Sequence, residues 1–382
     1  MKDIAIIGGG PAGAAAAIEA RRLGLGVVLF ERERFPRGKV CGEFLSVESL
    51  PLLEEHIPEV LARGAVIDRA EFIGRSGESH AFSLPRPARG LSRAAMDEAL
   101  WQASGREGCE LREGVSVRRA QKQAVTARGE RHWILETQAG ERVAARSLIV
   151  ACGRWWALEG IPSPAAQVKS AGAGEWMGVK AHFRGVAGRS AVEMYYFRGG
   201  YCGLAPIENG LYNACCLVHR GRAGGRRVAG FCEWIGSVGR HSALNERLRR
   251  AAQEGKTLTT APVRLARRAS ELDGALVAGD AAGFLDPFTG DGIAMALRSG
   301  GLAARTVAAS LRQNEMRGNA GEMDPSGYGE AFARASARSY GIAGILRALV
   351  CAPEGVQHAA AAALPWLGVR LFNGTRWRGS EL

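Results

Sequence analysis

The sequence lacks the features that mark a membrane-spanning, secreted or zinc-stabilised protein. No stretch of its C-terminal third reaches the roughly 18 uninterrupted apolar residues of a membrane span. Its eight cysteines include no CxxC pair, the spacing typical of a structural zinc site or a redox dithiol. The opening residues, MKDIAIIGGG, lack the charged n-region and the long apolar stretch of a signal peptide. We therefore expect a cytoplasmic protein with reduced cysteines and no metal site.

The charge of the chain limits its partners. Basic residues number 50 against 38 acidic ones, which gives a net charge of +12. This excess favours an anionic partner, such as a phosphorylated cofactor, a carrier protein or an acidic lipid surface. The arginines are scattered, without the aromatic-interleaved basic stripe of a nucleic-acid-binding protein. We predict no nucleic-acid partner. A solvated basic surface is the simplest interpretation, and peripheral membrane contact by the apolar C-terminal segment is left open, as is the oligomeric state.

The pattern of apolar residues predicts an α/β fold with a second, antiparallel layer. The apolar run 3–7, the alanine-rich stretch 11–23 and the apolar run 27–30 predict a β-α-β unit. Alternating segments between 161 and 268 are typical of an antiparallel sheet with one covered face. Residues 292–311 indicate a long helix.

The remaining segments are less regular. The stretch from about 65 to 90 is irregular and polar. Ser92 and Arg93 are predicted to open a helix that continues through Trp101. Residues 133–150 alternate and end in an apolar strand, and 275–278 predict another short buried strand.

A dinucleotide-binding fingerprint follows the first predicted strand. Gly8, Gly10 and Gly13 form GxGxxG between this strand and the first helix. Gly8 permits a tight turn, Gly10 a close approach of pyrophosphate, and Gly13 close packing of helix on strand. Glu31 ends the second strand, where a carboxylate accepts hydrogen bonds from a ribose 2′-hydroxyl. This motif alone does not choose between FAD and NAD. The neighbouring residues assigned to the same predicted site are Pro11, Ala12 and Arg32.

A second motif, far along the chain, decides for FAD. Residues 275–300 read ALVAGDAAGFLDPFTGDGIAMALRSG. Asp280 ends a strand, where its carboxylate can bind a ribityl hydroxyl, and the following turn leads into a helix whose first amides face the flavin pyrimidine edge. The predicted FAD contacts in this motif are Gly279, Asp280, Pro287, Gly290, Gly292 and Ile293.

Together with GGGPAGAAAA, FPRGKVCGEFLS and LSRAAMDEAL, this stretch resembles the geranylgeranyl reductase branch of the FAD-dependent oxidoreductase superfamily. That superfamily also includes para-hydroxybenzoate hydroxylase and the flavin-dependent halogenases. The resemblance implies a Rossmann-like FAD-binding domain interleaved with an antiparallel-sheet substrate domain, a helical C-terminus, and Arg93 at the FAD phosphate or ribose. The implied bounds are 1–65, 90–160 and 270–340 for the FAD-binding domain, 66–89 and 161–269 for the substrate domain, and 341–382 for the C-terminal segment.

Two departures from the hydroxylases of this superfamily are informative. Those enzymes commonly carry a DG motif where this chain has Ala151, Cys152, Gly153 and Arg154. The missing aspartate argues against a hydroxylase-type response to NADPH. Many of them carry histidine at the position of Gly283, and the glycine points toward the reductase branch.

The loop after the second strand carries the catalytic candidates Lys39, Cys41 and Glu43, and Arg37 and Cys41 are predicted as further FAD contacts. The resemblance implies that this loop lies near the isoalloxazine ring, where cations stabilise an anionic reduced flavin or attract a nicotinamide phosphate. Cys41 matches the cysteine of the reductase pattern PR-x-K-x-CGE, as a proton donor, a positioning group or a packing residue. Glu43 can act as an acid or base only if it is buried.

The substrate region matches less well. Tyr201 and Pro206 match the YxWxFP-like strand that lines the lipid pocket of geranylgeranyl reductases, but Gly203 and Ala205 replace its other two residues. We predict a pocket of different shape there. Halogenases of this superfamily carry a WxWxIP signature and a catalytic lysine. Here the residues of the signature occur only at the wrong spacing, and no lysine occurs between Lys39 and Lys122. The residues concerned are Trp155, Trp156, Ile161 and Pro162.

These observations predict an FAD-dependent enzyme that reduces, or in reverse dehydrogenates, a carbon–carbon double bond. The substrate is predicted to be lipophilic and isoprenoid- or polyketide-like, either free or carrier-bound. Because no second dinucleotide motif occurs, NADPH or NADH is predicted to bind transiently, unless an external reductase supplies the electrons. The alternatives are a monooxygenase acting on an aromatic or polyketide compound through a flavin C4a-hydroperoxide, a halogenase, and a protein that binds FAD without turnover.

Overall fold

The structure, a computed structural model, describes residues 1–124, 131–154, 156, 158–162, 175–224, 228–265, 267–317, 323–325, 327–352 and 355–356. Trp155 and the end of the predicted C-terminal segment, residues 357–382, lie outside this part of the chain. The predicted fold class is confirmed, because the described residues form two sheets with helices packed against them.

The strands are β1 (Lys2–Ile7), β2 (Val27–Glu31), β3 (Phe44–Leu45), β4 (Ala65–Ile73), β5 (Ser79–Gly90), β6 (Glu110–Glu113), β7 (Val117–Ala124), β8 (Arg131–Thr137), β9 (Arg142–Val150), β10 (Trp176–Arg184), β11 (Ala191–Phe197), β12 (Gly200–Pro206), β13 (Tyr212–His219), β14 (Ala252–Val263), β15 (Glu271–Leu272) and β16 (Ala275–Val277). The helices are α1 (Pro11–Arg22), α2 (Leu50–His56), α3 (Pro58–Ala62), α4 (Arg93–Arg106), α5 (Arg220–Ala223), α6 (Phe231–Val238), α7 (Ser242–Leu248), α8 (Gly292–Met316) and α9 (Tyr328–Cys351).

The first sheet has the strand order β15-β16-β9-β1-β2-β6, with β7 and β8 attached to β9. The strands β16, β9, β1, β2 and β6 are parallel along this path. The alanine-rich α1 packs against α8, and a Cβ added at Gly300 of α8 would lie 2.0 Å from the Ala12 carbonyl oxygen. The small residues of both helices therefore permit an approach that larger side chains would prevent.

The second sheet has the strand order β14-β10-β13-β12-β11-β4-β5-β3. Its pairs are antiparallel except for β11 with β4. Because side chains alternate along a strand, β10 presents Val179, Ala181 and Phe183 to the core formed with α6 and α7. The intervening Lys180 and His182 lie on the opposite face of the sheet, toward the loop that precedes β3.

Two expectations about this layer need correction. The stretch from 65 to 90, which the sequence pattern assigns to irregular structure, forms the long strands β4 and β5. The pattern was misleading because Pro85 and Pro87 interrupt it where the register shifts. In addition, α6 and α7 lie within a region that was predicted as sheet alone.

The helix after β5 begins where the sequence predicts. Ser92 is its N-cap, and the hydroxyl oxygen accepts a hydrogen bond from the Ala95 amide at 3.2 Å. The helix continues to Arg106, beyond the predicted end at Trp101. Across the described ranges, no helix combines the length and the hydropathy that crossing a membrane requires.

Candidate active site

A cavity of about 490 Å³ lies at the carboxyl ends of the parallel strands β1, β2, β9 and β16. The cavity is also lined by residues 258–260 of β14, in the second sheet, and by residues 37–43 of the loop before β3 together with Phe44 of β3. Its size falls within the range of about 300–1,000 Å³ that is typical of ligand sites, and its position is where open α/β sheets bind ligands. This cavity is therefore the candidate active site.

Most of the residues predicted from the sequence meet at this cavity. The predicted cofactor residues that line it are Gly8, Gly10, Pro11, Ala12, Glu31, Arg32, Arg37, Cys41, Arg93, Asp280, Pro287, Gly290, Gly292 and Ile293, and the catalytic candidates Lys39 and Glu43 line it as well. Two predicted residues lie just behind its wall. A Cβ at Gly13 would lie 1.8 Å from the Gly8 carbonyl oxygen, and one at Gly279 would lie 2.9 Å from the Ala12 Cβ.

The glycine turn after β1 forms an open cradle. Gly8 has φ +108°, which glycine adopts without strain, and Gly10 is the N-cap of α1 without a side-chain cap. A Cβ at Gly10 would meet nothing closer than the Arg93 guanidinium at 4.0 Å. The first amides of α1 are thus accessible to a phosphate.

Glu31 lies at the end of β2 and is almost fully buried. Its Oε2 accepts hydrogen bonds from the Gly9 amide and from Arg37 Nη2, both at 2.9 Å. A carboxylate oxygen has more than one lone pair, so these bonds leave acceptor capacity for a ribose hydroxyl. Arg32 beside it has a side chain that is 60% exposed.

Asp97 of α4 anchors two of the cations that line the cavity. Its carboxylate accepts two hydrogen bonds from Arg93, each at 2.7 Å, and lies 3.8 Å from Arg37 Nη2. The Asp97 side chain is fully buried. Arg93 and Arg37 are residues predicted from the sequence, whereas Asp97 is not, although it follows Arg93 by one helical turn, a spacing at which side chains pair.

The loop residues Cys41 and Glu43 are held by a polar network that extends from the second sheet. Glu43 is fully buried with φ +55°, which is uncommon for a residue other than glycine. Its Oε1 accepts hydrogen bonds from the Arg93 amide at 2.7 Å and from Lys180 Nζ, and its Oε2 is 2.7 Å from His182 Nε2. The Cys41 sulfur accepts a hydrogen bond from the Glu43 amide at 3.4 Å, and the Arg93 guanidinium is a nearby positive charge.

These contacts keep Glu43 ionised. Burial acts to raise the pKa of Glu43, but His182 and Lys180 outweigh it and hold the pKa below its ordinary value of 4.5. The carboxyl therefore carries no proton to donate at neutral pH. Glu43 is buried, as a role in acid–base catalysis would require. Its partners nevertheless keep it ionised, so it holds the loop in position and does not act as an acid.

Asp280 follows β16 and faces the cavity. Burial raises its pKa, against the lowering effect of Arg154, Arg93 and Arg268. Nearby, a Cβ at Gly283 would lie 2.3 Å from the Tyr340 hydroxyl of α9. Packing of α9 explains why a glycine stands at this position.

The two predicted substrate residues lie outside this cavity. Tyr201 of β12 packs edge-on against Phe288, with the ring centroids 5.4 Å apart. The carbonyl oxygen of Pro206 is in close contact with Gly90, where an added Cβ would approach it to 1.8 Å. Neither residue lines the cavity, and their role in a substrate pocket stays a prediction.

Asp286 adjoins this aromatic region and titrates abnormally. Burial raises its pKa to about 6, although the Phe288 amide, Arg347 and the Tyr201 hydroxyl lower it. A carboxyl whose folded-state pKa exceeds its unfolded value of 3.8 destabilises the folded state once it ionises.

We expect Asp286→Asn to stabilise the protein at neutral pH. The amide oxygen can still accept from the Phe288 amide, and the roughly 2-unit shift corresponds to about 3 kcal/mol. Because Asp286 is protonated in both states below its unfolded pKa, the gain should appear as pH rises from about 4 to about 6 and stay constant above. Urea unfolding of both proteins across this pH range measures it. A gain of equal size at pH 4 and pH 7 would contradict the assignment.

The comparison with protein families agrees with this geometry. The family model of the FAD binding domain matches residues 1–320. The chain belongs to this FAD-binding family. It is thus a member of the FAD-dependent oxidoreductase superfamily that the sequence resembles.

The chain is also similar to several curated proteins at 25–26% identity. It is 26% identical over 371 residues to a flavin-dependent halogenase of Armillaria mellea, covering 87% of this chain and 69% of the relative. It is 25% identical over 323 residues to digeranylgeranylglycerophospholipid reductase 2 of Methanopyrus kandleri, covering 82% and 78%. A third match, conditioned medium factor receptor 1 of Dictyostelium discoideum, is 25% identical over 82% of this chain, which spans only 64% of that protein.

Solved structures share the fold of this FAD-binding chain. A geranylgeranyl bacteriochlorophyll reductase-like protein from Thermoplasma acidophilum has a TM-score of 0.77 at 18% identity, covering 95% of this chain and 91% of that protein. The flavin-dependent brominase Bmp2 has a TM-score of 0.72 at 19% identity, covering 98% and 93%. The shared fold is common to reductase-like proteins and halogenases, and so does not distinguish their reactions.

The residues of the cavity fit FAD. The cradle of Gly8 and Gly10 would hold the diphosphate at the start of α1, and Glu31 would bind the adenosine ribose. Asp280 would bind the ribityl chain, and the first amides of α8 at Gly292 would face the flavin ring. Each position lines one continuous cavity. The described residues contain no cluster of metal-ligating side chains.

Two further residues, one that lines the cavity and one that supports its wall, were not predicted from the sequence. Lys180 is 2% exposed and binds the Glu43 carboxylate and, at 3.2 Å, the Lys39 carbonyl. Arg154 lines the cavity, with its guanidinium 4.3 Å from the centre of the Phe284 ring. Sequence analysis took Arg154 only as a departure from a motif, and Lys180 belongs to a strand with no motif.

Proposed function

We propose that the protein reduces a carbon–carbon double bond in a lipophilic, isoprenoid- or polyketide-like substrate, with Cys41 as the proton donor. The observation that carries this proposal is the position of the Cys41 thiol on the cavity wall, where the Glu43 amide donates to its sulfur and the Arg93 guanidinium is a nearby positive charge. The match to the Methanopyrus kandleri reductase over 82% of this chain supports the same reaction class.

Cys41 is the side chain of its loop best suited to deliver a proton. Glu43 is ionised, for the reasons given above. Burial lowers the pKa of Lys39, but its ammonium is paired with Glu33 at 2.7 Å. After a thiol gives up its proton, the resulting thiolate needs stabilisation, which the Glu43 amide supplies by its hydrogen bond and the Arg93 guanidinium by its nearby positive charge.

The proposed reaction adds a hydride and a proton to the two carbons of the double bond. When it is bound and reduced, FAD supplies a hydride to one carbon of the double bond. Cys41 donates its proton to the other carbon, and the thiolate that remains takes a proton from water. In the reverse direction, the Cys41 thiolate would accept the proton that leaves the substrate. NADPH or NADH is proposed as the source of the electrons.

The cavity also offers apolar surface for such a substrate. Val40, Leu258 and Phe284 line it together with Trp156 and Leu285. These side chains can exclude water from a hydrocarbon and from the proton on Cys41. A lipophilic substrate is therefore the class that this wall favours.

The test uses the purified holoenzyme, reduced with dithionite without oxygen and mixed with polyprenyl or polyketide alkenes. We expect the flavin spectrum to return to the oxidised form and the product mass to increase by two hydrogens. Cys41→Ala should slow this step by about 10²–10⁴-fold, the usual contribution of a general acid, while FAD content stays unchanged. Cys232→Ala, at an exposed position, serves as the control. Unaltered alkene in every anaerobic reaction would overturn the proposal.

A second candidate is FAD-dependent halogenation, favoured by the match to the Armillaria mellea halogenase over 87% of this chain. Halogenases of the superfamily that this sequence resembles carry a catalytic lysine. Here the ammonium of Lys39 is paired with Glu33, and that of Lys180 with Glu43. Adding oxygen, with and without a halide salt, separates the reactions. Halogenation needs both additions, hydroxylation needs oxygen alone, and double-bond reduction needs neither.

A further inference from the structure

We propose that Arg154 is a phosphate-binding residue of the cavity, in addition to the glycine turn after β1. Arg154 follows β9, lines the cavity wall and is partly buried. The proposal rests on membership of the FAD-binding family and does not depend on which reaction the enzyme performs.

The other cations that line the cavity have carboxylate partners. Arg37 is paired with Glu31 at 2.9 Å, and Lys39 with Glu33 at 2.7 Å. Arg93 is held by Asp97 at 2.7 Å. The largely exposed Arg32 lies 3.8 Å from Glu33. These pairs satisfy their charges before any ligand binds.

Arg154 differs from all of them. Among the residues that the structure describes, no carboxylate forms an ion pair or a hydrogen bond with its guanidinium. Burial lowers its pKa, and Asp280 opposes this only as a nearby charge. Because an arginine stays protonated in proteins, a partly buried guanidinium without an anion is unfavourable. The missing anion is therefore expected to come from the ligand.

The guanidinium is also held in position. Its Cζ lies over the Phe284 ring, 4.3 Å from the ring centre, and the backbone of Arg154 is held by a hydrogen bond from Arg268 Nη1 to its carbonyl at 3.0 Å. A planar, fixed guanidinium matches the oxygens of a phosphate, to which it can donate two parallel hydrogen bonds. Phosphate oxygens in this cavity have two sources, the FAD diphosphate and the phosphates of a nicotinamide dinucleotide.

The experiment measures binding and no turnover. Apoprotein of the wild type and of Arg154→Met is titrated with FAD and with riboflavin, which has the same ring but no phosphate, by flavin fluorescence. We expect Arg154→Met to weaken FAD binding by about ten- to a hundredfold, the effect of losing a charged hydrogen bond, and to leave riboflavin binding unchanged. The FAD affinity of Arg154→Lys should fall between those of the wild type and Arg154→Met, because lysine keeps the positive charge but cannot donate two parallel hydrogen bonds.

Two further measurements identify which phosphate Arg154 binds and control for folding. Titration of the holoenzyme with NADPH tests the nicotinamide phosphates; a selective loss there, with FAD unaffected, assigns Arg154 to the electron donor's phosphate and supports the proposed chemistry. Arg264→Met removes an exposed arginine outside the cavity and should change neither affinity. Unchanged riboflavin binding shows that the variant is folded. Equal losses for FAD and riboflavin, or no loss for FAD and NADPH, would overturn the proposal.

Discussion

Gly13→Ala is expected to yield protein without bound FAD. A Cβ at this position would lie 1.8 Å from the Gly8 carbonyl oxygen and 3.0 Å from its carbonyl carbon. Both contacts are with backbone, so no side chain can move aside, and the turn itself must shift. The turn carries the amides that face the diphosphate, and its displacement removes the site at the start of α1. We also expect a loss of about 3 kcal/mol or more in the free energy of unfolding.

The measurement is the FAD content of purified protein by absorbance, with far-UV circular dichroism to confirm folding. Gly341→Ala is the matched control, since a Cβ there meets nothing within 4 Å and the residue lies in α9. Alanine in a helix is favoured over glycine by about 1 kcal/mol, so this variant should retain FAD and be slightly more stable. A folded Gly13→Ala protein with a full complement of FAD would refute the assigned role of the turn.

The parts of the site that could be predicted from sequence are those encoded by short spacings. The glycines of the turn, and the aspartate and glycines of the second motif, have roles that follow from a strand, a tight turn and a helix close together in sequence. The loop with Lys39, Cys41 and Glu43 was also predicted, by its resemblance to a family pattern. Local geometry thus fixes which residues reach the cavity.

The parts that could not be predicted depend on distant pairing. Glu43 and Lys180 are 137 residues apart, and their contact follows from the position of β10 in the second sheet. Within β10, Lys180 interrupts a run of apolar residues, and only the sheet shows that its side chain lies on the face toward the loop. The sequence therefore left the protonation state of Glu43 open.

The long strand β5 was missed for a related reason. Pro85 and Pro87 cannot donate to a ladder and argue locally against a strand. In the structure they lie where the register with β4 shifts, so that the strand continues on either side. The prolines argue locally against a strand, but β5 forms because it pairs with β4, and this pairing cannot be seen in the local sequence pattern.

Lys180→Met is expected to destabilise the protein by about 3–5 kcal/mol, because it leaves the Glu43 carboxylate in the interior without its cation. Glu43 would keep the Arg93 amide and His182 as partners, but His182 carries a positive charge only when protonated. The matched control is Lys256→Met, an exposed lysine in β14 of the same sheet, which should change stability by less than about 0.5 kcal/mol. Urea unfolding near pH 7 measures both variants.

Two features distinguish this ion pair from packing of the lysine side chain. The double variant Lys180→Met with Glu43→Gln should recover part of the loss, because no unpaired charge then remains buried. The pKa of Glu43 lies below its ordinary value of 4.5, so the stabilisation by the pair is present above that pH and is lost as the pH falls through the lowered pKa. The difference between wild type and Lys180→Met should shrink accordingly in acid. A loss that is independent of pH and unchanged in the double variant would show that Lys180 stabilises the loop by packing alone. His182 would then be the remaining partner that lowers the pKa of Glu43 beside Cys41.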